Sequence, residues 1–134
     1  MANNDFVIID FEGEPARSFD ERRAKSSPLR DVAGMLRSFS YARWSALRHQ
    51  AQNAEELTRL DAAAEGWEHE TRAAFLDGYG NMADANLGVD IQLLELFELE
   101  KACYELRYEL GNRADWVTVP LRGILALLDR GARR

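Results

Sequence analysis

Proline placement constrains this chain more than any other feature. Proline fixes φ and lacks the N–H that an interior helical residue must donate, so it is excluded from helix interiors. The three prolines are Pro15, Pro28 and Pro120, which leaves residues 29–119 free to be helical. Ser27 and Pro28 read as an N-cap and first helical position, where a missing N–H costs nothing. Val32, Met35, Leu36, Phe39 and Leu47 then recur at helical spacing and predict a helix to about Gln50. Asn53 with Glu56 three positions on predicts a capping-box start for the next helix. That helix runs past Leu57, Leu60, Trp67 and Phe75 until the glycines of "GYGNMADANLG" loosen it. A third helix is expected over about 89–110. Its residues Leu93, Leu94, Leu96, Phe97, Leu99, Ala102, Cys103 and Leu106 make it apolar nearly all round, the pattern of a central, buried helix. Gly111 and Asn112 end it. "VPLRGILALLDRG" adds a short helix from Pro120 to Gly131.

Before the first proline stands "FVIID", residues 6–10, four apolar residues, three of them β-branched, that read as a strand. The expected fold class is therefore mainly α: a single domain over 1–134, with a strand and acidic loop at about 5–15 and a bundle of about four helices at about 27–131. A lone strand leaves backbone N–H and C=O groups unpaired. Residues 6–10 therefore call for a partner, either a second copy in a homodimer or sequence lying outside this chain.

The net charge of −6 argues against nucleic acid, because phosphate binding needs a basic surface. One cysteine excludes an internal disulfide framework and fits a reducing cytoplasm. No apolar run has the length of a membrane span, and "MANND" has no signal-peptide character. The expectation is a cytoplasmic protein that engages neither nucleic acid nor membrane.

Side chains alternate along an extended segment, so Asp10 and Glu12 can point to the same side. Two carboxylates there suit a hard cation such as Mg²⁺, which takes oxygen ligands and commonly arrives with phosphates. Gly13 allows the turn that follows. The alternative is a solvated acidic turn.

Two long segments carry a resemblance. "VIIDFEGEPARSFDERRAKSSPLRDVAGMLRSFSYA" resembles the stretch after the catalytic loop of bacterial maltokinases, sugar kinases of the aminoglycoside-phosphotransferase, protein-kinase-like group often fused to trehalose synthase. "LEKACYELRYELGNRADWVTVPLRGI" resembles the same family's C-terminal signature. The two cover about half the chain, in the right order, with an unspecific middle. The resemblance implies the C-terminal part of a kinase-like large lobe. It also implies a parent enzyme of trehalose and α-glucan metabolism that moves the ATP γ-phosphate to maltose, giving maltose 1-phosphate. Asp10 then matches the metal-binding Asp of the kinase D-F-G position, and Glu12 replaces the usual Gly as a second Mg²⁺ ligand. The family's nucleotide loop, strand lysine and H-G-D-type catalytic loop are not in this sequence. His49 and His69 read instead as surface positions on helices. The chain is thus expected to be inactive alone and to bind neither ATP nor Mg²⁺ tightly. The alternative is a stand-alone, non-catalytic carbohydrate-binding or assembly module.

Lys101, Tyr104 and Tyr108 share one helical stripe with Glu105. Tyrosine rings pack on the C–H faces of a pyranose while their hydroxyls bond its oxygens. By spacing alone the stripe also reads as core tyrosines beside an ordinary ion pair. The resemblance implies that Lys101, Tyr104 and Tyr108 contact a maltose-like disaccharide, with Trp116 as a further candidate. Arg30 and Arg37 are expected either to brace the acidic loop or to form ordinary ion pairs along their helix.

Overall fold

The computed structural model describes residues 18–82 and 90–132. They form five α-helices and one 3-10 turn: α1 (Phe19–Arg23), α2 (Leu29–Gln50), α3 (Ala54–Met82), α4 (Ile91–Asn112), the turn Ala114–Trp116, and α5 (Thr118–Ala132).

This corrects the expected class of about four helices with one strand. The mainly helical character stands, but the described residues carry a fifth α-helix and no strand. The added helix is α1, in the charged connector. Ser18 caps it in a full capping box, its hydroxyl accepting from the Glu21 N–H while the Glu21 carboxylate accepts from the Ser18 N–H at 2.8 Å. The segment 6–10 assigned to the strand lies outside the described residues, as do Asp10 and Glu12.

α2 begins one residue after Pro28, with the Ser27 hydroxyl accepting from the Leu29 N–H at 3.3 Å. At the start of α3 the Asn53 side chain accepts from the Glu56 N–H at 2.8 Å, and the Glu56 carboxylate accepts from the Gln52 N–H. α3 does not loosen at Gly78 and Gly80; it continues to Met82. Helical glycine costs about 1 kcal/mol relative to alanine. Here tertiary packing outweighs that cost. Phe75 meets Phe39 edge-on at 5.8 Å and stacks with Tyr79 at 6.5 Å, and Phe75, Leu76 and Tyr79 all pack on the core.

α2 is the hub and packs against α3, α4 and α5, while α5 also lies along α4. The pairs Arg37–Glu105 and Tyr41–Glu109 advance together, so α2 and α4 run parallel. Ser40–Glu68 and Arg43–Asp61 advance in opposite senses, so α3 returns antiparallel to α2. The core is built on Leu29, Val32, Ala33 and Leu36 of α2 with Leu94 of α4.

α4 departs most from expectation. Its buried stripe is Leu94, Glu98, Ala102, Glu105 and Glu109, whereas Leu96 and Leu110 are 59% and 64% exposed and Cys103 is also exposed. The helix is central, as its composition predicts, but it turns three carboxylates inward. The reason lies in its neighbours, which present arginine and tyrosine to that stripe.

Candidate functional site

Three buried acids of α4 organise the interior. Arg37, 3% exposed, donates from Nε to Glu105 at 2.9 Å. Burial pushes the Glu105 carboxyl above its ordinary range, and the nearby Arg37 only partly offsets this. Glu98 receives two hydrogen bonds from Arg72 Nη2, both at 2.8 Å. Glu109, 1% exposed, accepts from the Tyr41 hydroxyl at 3.0 Å and from Arg113 at 2.9 Å. Burial, with the charges of Glu105 and Glu109 beside it, raises the Tyr41 phenol far above its usual value, so Tyr41 stays a neutral donor.

Above this layer lies a groove of about 440 Å³ between α2, α3 and α5. Arg43, Trp44, Asp61, Glu65, Glu68 and Arg122 form much of its wall. Asp61 joins the helices: it accepts from Arg43 of α2 and, at 2.8 Å, from Arg122 of α5. Burial opposes its ionisation, but the hydrogen bonds and charges of Arg43 and Arg122 prevail and hold its carboxyl below the usual range. Arg122 also lies over the Trp44 ring at 5.1 Å. Trp44 Nε1 is buried and has no hydrogen-bond acceptor among the described residues. Glu65 is the loosest acid of the wall, 74% exposed and 4.0 Å from Arg43. The groove therefore offers carboxylate acceptors, guanidinium donors and an indole within one small volume, a set suited to a ligand dense in hydroxyl groups.

Gly123 sets the floor. A Cβ there would stand 2.8 Å from Arg37 Cζ, inside van der Waals contact. Gly123→Ala is expected to displace the Arg37 guanidinium and cost about 1–3 kcal/mol, read by chemical unfolding.

The sequence-predicted sugar residues lie elsewhere. None of Lys101, Tyr104, Tyr108 and Trp116 lines the groove. The fold gathers them as two pairs. Lys101 Nζ sits 5.4 Å from the centre of the Tyr104 ring. Tyr108 and Trp116 share Arg113, whose guanidinium is 5.7 Å and 5.1 Å from the two rings. Trp116 also stacks on Tyr41 at 6.1 Å and carries Arg48 on its ring at 5.1 Å. Tyr108 is half exposed, and Tyr104 is partly buried.

Both histidines are exposed, as expected, although His69 borders the groove. Arg30 and Arg37 form ion pairs, with Glu100 and Glu105 respectively. The groove residues escaped sequence reasoning. One signal was available for the buried layer: Arg37 and Tyr41 are four apart, as are Glu105 and Glu109, so parallel helices bring both pairs into register. Among the described residues no group of three His, Cys, Asp or Glu side chains could hold a metal ion. Nor is any helix among them long and apolar enough to cross a membrane.

No protein-family model matches the chain. It is 26% identical over 134 residues to a glucosamine kinase of Mycolicibacterium smegmatis, an alignment covering 97% of this chain and 32% of that protein. The chain thus spans about a third of the length of that kinase. It is distantly similar to part of a sugar kinase.

Proposed function

We propose that this chain is the sugar-side portion of an ATP-dependent sugar kinase, and that the groove between α2, α3 and α5 holds the sugar. The observation that carries this reading is the groove itself, which gathers Arg43 and Arg122 with Asp61, Glu65 and Glu68 beside the Trp44 side chain. The hydroxyls of a pyranose would exchange with the ion pairs of this wall, accepting from the guanidinium groups and donating to the carboxylates. The distant similarity to a glucosamine kinase supports the class of reaction.

In this reading the longer enzyme uses ATP with Mg²⁺, and Asp10 and Glu12 supply metal ligands. The motifs favour maltose as acceptor, with maltose 1-phosphate as product. The relative's name instead points to an amino sugar, whose ammonium group would suit the loosely held Glu65 carboxylate. A second placement of the sugar, on Lys101, Tyr104 and Tyr108 with Trp116, is favoured by the half-exposed Tyr108 ring on α4.

Calorimetric titration with maltose and with glucosamine tests the proposal. Saturable heat with one sugar is expected. Arg122→Ala should weaken binding about tenfold or more if the groove is the site, with Tyr108→Ala near neutral. The reverse pattern assigns the sugar to the α4 face. Absence of heat with both sugars rejects sugar binding by this chain.

A further inference from the structure

Among the described residues, the charges around the groove balance in sum but are separated in space. Beneath it the buried Arg37–Glu105 pair is self-contained. At one end Arg43 and Arg122 face three carboxylates, Asp61, Glu65 and Glu68, which leaves one negative charge in surplus. At the other end Arg72 and Arg130 share the single carboxylate of Glu98, which leaves one positive charge in surplus. Each surplus falls on the side chain held least. Glu65 stands 4.0 Å from Arg43. Both Glu98 oxygens accept from Arg72 at 2.8 Å, so Arg130 stays 3.9 Å from Glu98 and its Nε donates only to the Ala126 carbonyl of its own helix. The links Asp61–Arg122 and Arg72–Glu98–Arg130 advance together, so α3 and α5 run parallel along the two walls. Glu65 lies one turn beyond Asp61, and Arg130 lies two turns beyond Arg122. By helical rise the two surplus charges are therefore about 6 Å apart along the groove, the scale of one pyranose with its substituents. Between Arg122 and Arg130, α5 presents only Gly123 and Ala126 to the groove, which leaves room for such a ring.

We propose that the groove takes a doubly charged sugar, an amino sugar that also bears a phosphate or carboxylate, with its ammonium at Glu65 and its anion at Arg130. This rests on the reading of the groove as the sugar site and names the chemistry of its ligand. A neutral sugar leaves both surplus charges uncompensated, and a singly charged sugar leaves one. A sugar carrying both groups compensates the two ends at once. The guanidinium of Arg130 presents parallel N–H donors, which match a phosphate or a carboxylate equally in geometry. A cleft walled by protein focuses such fields, so each match counts for more than on an open surface.

Calorimetric titration at low ionic strength with glucosamine, glucose 6-phosphate, glucosamine 6-phosphate and muramic acid tests this. Glucosamine 6-phosphate or muramic acid is expected to bind about tenfold or more tightly than either singly charged sugar, with the advantage shrinking as salt is added. The tighter of the two identifies the anion as phosphate or carboxylate. Arg130→Gln should cost the doubly charged sugar about tenfold and leave glucosamine unchanged. Glu65→Gln should weaken glucosamine 6-phosphate and leave glucose 6-phosphate unchanged. Both side chains are solvent-exposed in part, so the helical circular dichroism signal should be the same in the variants. Doubly charged sugars no tighter than glucosamine, or an advantage that survives Arg130→Gln, overturn the proposal. If glucosamine or maltose still binds in an Arg122-dependent way, the groove remains the sugar site and only its charge assignment falls. Absence of binding by every sugar removes both.

Discussion

Arg37→Met is expected to destabilise the fold by about 3–5 kcal/mol, because it leaves Glu105 as an uncompensated charge in the interior. Arg37 is 3% exposed, and its Nε–Glu105 bond of 2.9 Å joins the hub helix α2 to α4. The loss has a pH signature that separates charge from packing. Glu105 has a raised pKa in the folded protein, so the folded state binds its proton more tightly than the unfolded chain does. The group therefore favours folding increasingly as pH falls through its folded pKa, and the gain is complete below its unfolded pKa. Without Arg37 the carboxyl rises further. The deficit of Arg37→Met relative to the parent should then be greatest at neutral pH and shrink as mild acid neutralises Glu105. Urea unfolding followed by circular dichroism at several pH values measures this directly. A deficit independent of pH would assign the loss to packing. The double variant Arg37→Met with Glu105→Leu should recover much of the stability, since a buried ion pair replaced by well-packed apolar groups is often neutral or better.

Leu36→Ala is expected to cost about 2–5 kcal/mol. Leu36 is 0% exposed and lies in the cluster with Leu29, Val32, Ala33 and Leu94, where α2 meets α4. Truncation removes the transfer free energy of the deleted carbons and opens a cavity that surrounding helices close only in part. The adjacent Met35 provides the contrast. It is 37% exposed, so Met35→Ala should cost clearly less than Leu36→Ala, about 1 kcal/mol or less. Unfolding midpoints of the two variants that fall together would contradict the burial pattern of α2. These effects are large because α2 touches three helices, so damage on its inner face is felt at several interfaces at once.

The starts of α2 and α3 were legible in the sequence because they rest on local chemistry, whereas the Asp90 cap of α4 went unread and α5 opens at Thr118, ahead of the expected Pro120. Pro28 and Ser27 open α2, Asn53 and Glu56 open α3, and Pro120 lies in the first turn of α5, each within the reach of a few bonds. The apolar stripe of α2 was legible in part for the same reason: Val32, Leu36 and Leu47 repeat with the helical period and are buried and Phe39 packs on the core, but Met35, expected in the same stripe, is exposed. α4 was not legible in this way. Its leucines occur on most sides, so the period leaves open which face turns inward. The inward face is the one that meets Arg37, Arg72 and Tyr41, residues distant in sequence. The glycines near the end of α3 misled for a related reason, because the local cost of Gly78 and Gly80 is outweighed by Phe75 and Tyr79 packing on the core.

The candidate site divides along the same line. Lys101, Tyr104 and Tyr108 could be singled out from the sequence because a single helix carries them. The groove was not visible, because Arg43, Asp61 and Arg122 stand on three helices and no short motif joins them. By itself, the sequence determined a mainly helical chain, the places where α2 and α3 begin, and which residues could offer chemistry along any one helix. Tertiary structure alone decided that Glu98, Glu105 and Glu109 turn inward, that Leu96 and Leu110 of α4 face outward, and that arginines and acids from separate helices enclose one groove. Helical period and capping are local interactions, whereas the inward face of a helix is chosen by the charges and shapes that other helices bring to it.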